Sequence, residues 1–388
     1  MNRFFLFLAV CLTAACTAEA PLSVRVVRSE MARCPEASWL DGREGTLKWN
    51  YTTGLELKAF LDVYDTYGGQ DIFDYVDAWY DAIINGDGSI QTYKKSNYST
   101  DHICPGRTLF RLYDLTGKEK YRAAMDTLYV QILEQPRTAE GGFWHKQVYP
   151  GQMWLDGLYM AQPFYAEYTN RFVTDSTARE ANYADIVHQF QTVYDHTLDP
   201  STGLLRHAWD STHEMFWCDP ETGQSEHAWG RALGWYCMAL VDVIELFPDG
   251  EGKDALINLL VSQLNTLPLF ADVRTGMWYQ VLDSPYREGN YLEATCSAMF
   301  TYVFLKSARL GIFGDAGMAG HMYRSLLDTF VTEENGLVNL NDCCAVAGLG
   351  GKDNRRGDYA YYIHERVCAN DPKGIGPLIW ASLEYEQL

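Results

Sequence analysis

Five times along the chain a glycine opens a short, aromatic-rich extended piece. The pieces are Gly88-Ser-Ile-Gln-Thr-Tyr93, Gly142-Phe-Trp-His-Lys146, Gly203-Leu-Leu-Arg-His-Ala-Trp209, Gly276-Met-Trp-Tyr279 and Gly336-Leu-Val-Asn339. Their glycines are 54, 61, 73 and 60 residues apart. A period of that length exceeds the common solenoid units, but it holds two long helices and their loops. Helical periodicity fills the intervals: Ile72, Val76, Trp79 and Ile83 form one stripe, and Ala232, Leu233, Tyr236, Leu240, Val243, Ile244 and Phe247 form another. Turn signals at Leu115-Thr-Gly117 and Phe247-Pro-Asp-Gly250 fall inside the units, where the first helix of a hairpin would meet the second.

Each unit therefore reads as a helical hairpin, and five of them need a sixth to close. The flanking segments Val24 to Cys34 and Pro372 to Glu386 are expected to meet and supply it. The expected fold is all-α, an (α/α)6 barrel of six helical hairpins over residues 21–388, a single domain with its long loops gathered at one end. The non-periodic stretch from Asn341 to Asp371 is expected to lie across that end.

The helix opened by Pro150-Gly151 runs Gln152-Met-Trp-Leu-Asp156-Gly-Leu-Tyr-Met160 and is apolar nearly all round, which marks it as an inner helix. Asp156 is then a carboxylate among apolar neighbours. Burial of that kind raises a carboxyl pKa toward the working pH and suits a general acid; the alternative is an Asp that caps backbone or pairs with an Arg. Asp101, in Thr100-Asp-His-Ile-Cys-Pro-Gly106, falls at the same mouth as a second acid, or as a plain helix cap. Two carboxylates around one cleft are usual equipment for glycoside chemistry. Trp229 and Trp235, in Glu226-His-Ala-Trp229-Gly-Arg231-Ala-Leu-Gly-Trp235, are candidates for stacking on sugar faces, Trp235 equally for the core. Arg231 offers a fork for a carboxylate, or balances Asp156 or Glu226. His145, Lys146 and His207 sit in the glycine pieces, so at the rim, where they favour an anionic ligand.

Other functions are excluded or weakened by composition. The formal net charge is −20, with 51 acidic against 31 basic residues, and no basic run interleaved with aromatics offsets it; a nucleic-acid partner is not expected. His213-Glu214 and His364-Glu365 lack the second histidine of a zinc helix, and Gly348 to Lys352 lacks the spacing of a phosphate loop, so neither a metal nor another cofactor is expected. Residues 1–20 read as an export signal too short to span a bilayer, and Leu12-Thr-Ala-Ala-Cys16 resembles a lipoprotein box with Cys16 as the lipidation site. The chain is thus expected to be exported, to the periplasm or to a membrane it would touch through that lipid. The remaining eight cysteines read mostly as buried small hydrophobes; a bridge from the Cys343-Cys344 pair would have to reach elsewhere, for instance to Cys368.

Four motifs in register carry a family resemblance: Asp101-x-Ile-x-Pro-Gly-Arg107 with Leu115-Thr-Gly117, Trp154-x-Asp-Gly-Leu-Tyr-Met160, Trp229-Gly-Arg-Ala-x-Gly-Trp235 and Asn370-Asp-Pro-Lys-Gly-x-Gly376. From about Leu47 to the C-terminus the chain resembles glycoside hydrolase family 105, the unsaturated rhamnogalacturonyl hydrolases, relatives of the family 88 unsaturated glucuronyl hydrolases. The resemblance implies a six-hairpin barrel and an anionic unsaturated oligosaccharide as substrate. It makes Asp156 the general acid/base and Asp101 the assisting carboxylate, and has His145, Lys146, His207, Trp229, Arg231 and Trp235 lining the uronate subsite. It also implies hydration of a C4=C5 double bond, with Asp156 protonated at rest and its pKa raised further by Asp101. Two positions depart from the family pattern: the usual Gly-Thr-Ser-type helix start is Glu293-Ala-Thr-Cys-Ser297, and His102 follows Asp101. The rival readings are a sugar epimerase using His207 and His364, and a surface glycan-binding lipoprotein.

Overall fold

The computed structural model describes residues 20–42 and 45–388. Apart from Ala20, the segment read as an export signal, with Cys16, lies outside the described residues. Thirteen α-helices are present among them: α1 (Leu22–Arg33), α2 (Tyr51–Tyr67), α3 (Gln70–Ile83), α4 (Gly106–Thr116), α5 (Glu119–Glu134), α6 (Leu155–Phe172), α7 (Ser176–Thr197), α8 (Gly230–Leu246), α9 (Glu251–Thr266), α10 (Ala294–Arg309), α11 (Ala316–Phe330), the short α12 (Tyr359–His364) and α13 (Pro372–Glu386). Helices α2, α4, α6, α8, α10 and α13 follow one another around an inner ring, and α3, α5, α7, α9, α11 and α1 back them. The sixth hairpin joins the two ends of the chain: α13 packs on α1 and sits between α10 and α2. The fold is the expected (α/α)6 barrel.

Inner and outer helices differ as their sequences require. Every residue of α8 from Gly230 to Ile244, of α10 from Ala294 to Ser307 and of α13 from Pro372 to Glu384 is buried, whereas α3 buries one stripe, Ile72, Val76, Trp79, Tyr80 and Ile83. Side chains cap several helices: Asn50 accepts from Thr53 N at α2, Asp175 from Ala178 N at α7 and Glu293 from Cys296 N at α10. The glycines of the Trp229–Trp235 motif let α8 approach α10 closely. A Cβ on Gly230 would fall 2.8 Å from Cys296 Sγ, and one on Gly234 2.5 Å from Met299 Sδ.

The recurrent glycine pieces are tight antiparallel returns placed just after the outer helices α3, α5, α7, α9 and α11. Residue pairs Ile84/Ile90, Arg137/Phe143, Leu198/Leu205 and Ala271/Trp278 bridge across them, and the fifth widens into a ladder of β3 (Val331–Glu334) with β4 (Leu337–Leu340). Four of the five glycines have positive φ (70–84°), and in the remaining piece the preceding Gly141 takes it (89°). Each return swings the chain back over the barrel mouth and into the next inner helix. There β1 (Gln152–Trp154) pairs with β2 (Ala208–Asp210), and β5 (Cys343–Cys344) with β6 (Val367–Cys368). All eight described cysteines are free thiols, although Cys343 faces Cys368 in the β5–β6 register. No described helix is long and apolar enough to cross a membrane.

Candidate active site

The inner helices all begin at the mouth, so residues distant in sequence converge there. Tyr51 opens α2, Asp101 lies in the 3-10 turn leading to α4, Asp156 is in the first turn of α6, Arg231 in that of α8, and Asp371 caps α13. Their proximity shows at the Tyr51 phenol: burial raises its pKa most, Asp101, Asp371 and Asp156 add to the rise, and Arg231 opposes it. Six helix N-termini also direct their positive ends at this space, a field that favours an anion.

Asp101 is not a helix cap, since α4 starts at Gly106 with Pro105 at the cap position and no side-chain cap. Its Oδ2 is 2.5 Å from Lys146 Nζ and its Oδ1 3.7 Å from His145 Nε2. Burial pushes its pKa up, but Lys146, His145 and His102 outweigh that and hold it below the usual carboxylate range. His145 stacks on Trp154, centroids 4.6 Å apart, and burial beside Lys146 drops its pKa to about 4.

Asp156 pairs with a histidine. His207 Nε2 is 3.3 Å from Asp156 Oδ2, and neither atom has a hydrogen-bond partner among the described residues. Burial raises the Asp156 pKa, yet His207, His145 and the local backbone more than reverse it, leaving it below the ordinary value. On the far side of the ring, His207 Nδ1 is 2.7 Å from Tyr362 Oη. Trp229 packs against both, 4.7 Å from the His207 ring and stacked at 5.9 Å on Tyr362. Its Nε1 donates to Gln280 Oε1 at 3.1 Å.

Arg231 is 2% exposed. Its guanidinium lies 4.6 Å over the Trp229 ring and donates to the Cys344 carbonyl, and it forms no ion pair among the described residues. A buried cation without a carboxylate partner is costly, so an anionic group arriving here would offset its desolvation. It does not balance Asp156 or Glu226. Trp235 packs on Tyr159 at 4.8 Å and edge-on to Tyr51, in the core.

Residues 22–388 match Glycosyl Hydrolase Family 88. The chain belongs to that family. Among solved structures, this family 88 chain is similar to a glycoside hydrolase from family 105 of C. acetobutylicum ATCC 824, with 43% identity, a TM-score of 0.88 and coverage of 94% of this chain and 99% of that one. It is also similar to a possible family 105 member from Klebsiella pneumoniae subsp. pneumoniae MGH 78578, at 25% identity and TM-score 0.72 over 88% and 83% of the two chains. Protein Atu3128 of Agrobacterium fabrum (strain C58 / ATCC 33970) is 36% identical over 234 residues, 58% of this chain and 97% of that protein. The protein is a glycoside hydrolase.

Four expectations change within this family 88 site. The Asp156 pKa lies below its ordinary value instead of above it, because the His207 ring beside it outweighs the apolar surroundings and the charge of Asp101 is taken up by Lys146. The rim is less cationic than the sequence implied: His145 and His207 are buried, and His145 is neutral near pH 7. Trp229 and Trp235 are each 1% exposed, sealed by Tyr362 and Tyr159 rather than open as sugar platforms. The epimerase pair does not form, since His364 is exposed with Nδ1 on the Ala360 carbonyl, away from the buried His207. Among the described residues no three His, Cys, Asp or Glu are gathered to hold a metal. Sequence reading missed Tyr51, Gln280, Glu293 as a positioning group, and Tyr362. Glu293 was visible only as a departure from the family pattern; its two oxygens tie α10 to the loop through Cys296 N and Cys344 N, each at 2.7 Å.

Proposed function

We propose that this glycoside hydrolase removes a 4,5-unsaturated uronic acid from the non-reducing end of lyase-generated oligosaccharides, rhamnogalacturonan fragments with a terminal unsaturated galacturonate being the favoured substrate. One observation carries the reading. Of the three aspartates brought to the mouth, Asp101 is neutralised by Lys146 and Asp371 by Lys373, and Asp156 keeps a buried oxygen without a hydrogen-bond partner among the described residues. A site with one free carboxylate suits a reaction in which one residue gives and then takes a proton, better than the paired carboxylates of ordinary glycoside cleavage.

In this reaction the uronate carboxylate arrives near Arg231 and the helix N-termini. A second anion beside Asp156, with water displaced, raises its pKa, so the acid proton is taken up with the substrate. Asp156 protonates C4 and then accepts a proton from the water that adds at C5. The resulting hemiketal opens to a 5-keto sugar, and the hemiacetal left at C1 expels the remaining chain as an alcohol. Net consumption is one water, and Asp156 returns to its starting state. The export signal and the Cys16 lipid site belong to the same proposal, since they would place the enzyme where extracellular lyases release such fragments.

The test is a panel of lyase-generated oligosaccharides followed by the ultraviolet absorbance of the conjugated C4=C5 bond. The absorbance is expected to fall with the wild-type protein and not with Asp156→Asn. A broad panel on which the wild type leaves the absorbance unchanged overturns the reading.

A further inference from the structure

The stretch from Asn341 to Asp371 does more than cover the mouth. Its short helix α12 brings Tyr362 down until the phenol is fully buried with its oxygen 2.7 Å from His207 Nδ1. The placement is determined from several sides. Asp358 caps α12 by accepting from Tyr361 N at 2.8 Å, Gln280 Nε2 donates to the Tyr362 carbonyl at 3.2 Å, and the ring stacks on Trp229. A neutral imidazole presents a proton on one nitrogen and a lone pair on the other, and the partner of one nitrogen decides what the other offers. Here the other nitrogen, Nε2, faces Asp156 Oδ2 at 3.3 Å.

We propose that Tyr362 is a positioning residue that, by donating its hydroxyl proton to His207 Nδ1, holds the imidazole as the Nε2–H tautomer aimed at Asp156. Electrostatics select that direction: a protonated Nδ1 would turn the Nε2 lone pair toward the Asp156 carboxylate. Burial keeps the Tyr362 phenol protonated, so its hydroxyl stays a donor across the working range. The role reaches the reaction through His207 and rests on the function proposed above. Its consequence is control of when Asp156 holds its proton, so the phenol governs turnover more than substrate capture.

The experiment combines kinetics with nitrogen NMR of histidine-labelled protein, the His207 signals being those missing in His207→Asn. In the free wild type His207 is expected to show a protonated Nε2 and an unprotonated, hydrogen-bonded Nδ1. Tyr362→Phe keeps the ring and loses the hydroxyl; kcat should fall on the order of tenfold to a hundredfold with KM changed less than about twofold, and the His207 signals should move toward a tautomer mixture. Tyr361→Phe, one residue away in α12, should leave kcat and the His207 signals as in the wild type. A protonated Nδ1 in the wild type overturns the proposal, as does a Tyr362→Phe variant with wild-type kcat and unchanged His207 signals. The spectrum of the free protein needs neither turnover nor a variant fold, so it decides the tautomer even if no unsaturated uronide is hydrated, an outcome that would instead remove the proposed function.

Discussion

Asp156 Oδ2 and His207 Nε2 stand 3.3 Å apart at the buried mouth of the barrel, each without a hydrogen-bond partner among the described residues. A carboxylate and an imidazole left in this state are poised for a third party, and the consequences can be measured.

Removing the charge of Asp156 while keeping its shape should separate chemistry from binding. Asp156→Asn is expected to lose at least about 10²-fold in kcat on an unsaturated oligosaccharide, in the range of a general acid/base. Affinity for that oligosaccharide, followed by calorimetry, should change much less. Near-normal turnover in this variant would remove Asp156 from the role.

Among the described residues the buried Arg231 forms no ion pair with a carboxylate, so the uronate is expected to provide one. Arg231→Met should raise KM for the charged substrate by roughly tenfold or more, since charge-assisted bidentate contacts are worth about 1.5–3 kcal/mol. A methyl ester of the same substrate should lose its dependence on residue 231. Equal effects on acid and ester would place the uronate elsewhere.

The mouth should also make stability pH-dependent with a defined sign. His145 has a folded pKa of about 4, below its unfolded value near 6.5. Between those values the unfolded chain binds a proton that the folded one does not, so stability falls as pH drops through that window, by up to about 1.4 kcal/mol per pH unit. Asp101 and Asp156, depressed in the fold, contribute stability above the unfolded carboxylate pKa and lose it at still lower pH. Thermal melts from pH 7 to 4 should show a shallower decline in His145→Asn than in the wild type. An identical slope in both would mean that His145 is not held neutral.

The opposite end of the barrel offers a control. A cavity of about 330 Å³ there is lined by Arg107, Asp242, Tyr302 and Lys306, among others, and it is far from the carboxylates of the mouth. Asp242 receives Arg107 at 2.8 Å, Lys306 at 2.8 Å and the Tyr302 hydroxyl at 2.6 Å. Asp242→Asn should cost stability on the order of 3–5 kcal/mol, because the buried Arg107 loses its anion and Lys306 keeps only the partly exposed Glu245. The kcat of the folded fraction should stay near wild type; a selective loss of kcat at full stability would show that this cluster reaches the active site.

The ring itself was legible because its signal is local and repeated. A glycine with positive φ after five of the six outer helices, an apolar inner helix and an amphipathic outer one are properties of a dozen neighbouring residues, and periodicity reports them directly. Even the closing hairpin could be anticipated, since α1 and α13 are amphipathic or apolar segments that need partners the other five hairpins do not provide. Asp156, Asp101 and Arg231 were also within reach, because their motifs lie at the starts of inner helices and such starts all open on one mouth.

What the sequence could not determine was the protonation chemistry of that mouth. An apolar helix around Asp156 argued for a protonated acid, whereas His207, 51 positions later in the chain, sits against it and reverses the sign. Asp101 looked like a second negative charge until Lys146 was seen to cancel it. Tyr362 is separated from His207 by 155 residues, and nothing in its neighbourhood points to an imidazole. Electrostatic energies depend on separations of a few ångströms between groups brought together by chain closure, and those separations exist only in the folded ring. The sequence alone determined the barrel and placed Asp101, Asp156 and Arg231 at its mouth; the tertiary structure decided which groups from distant parts of the chain face them and so shift their charge.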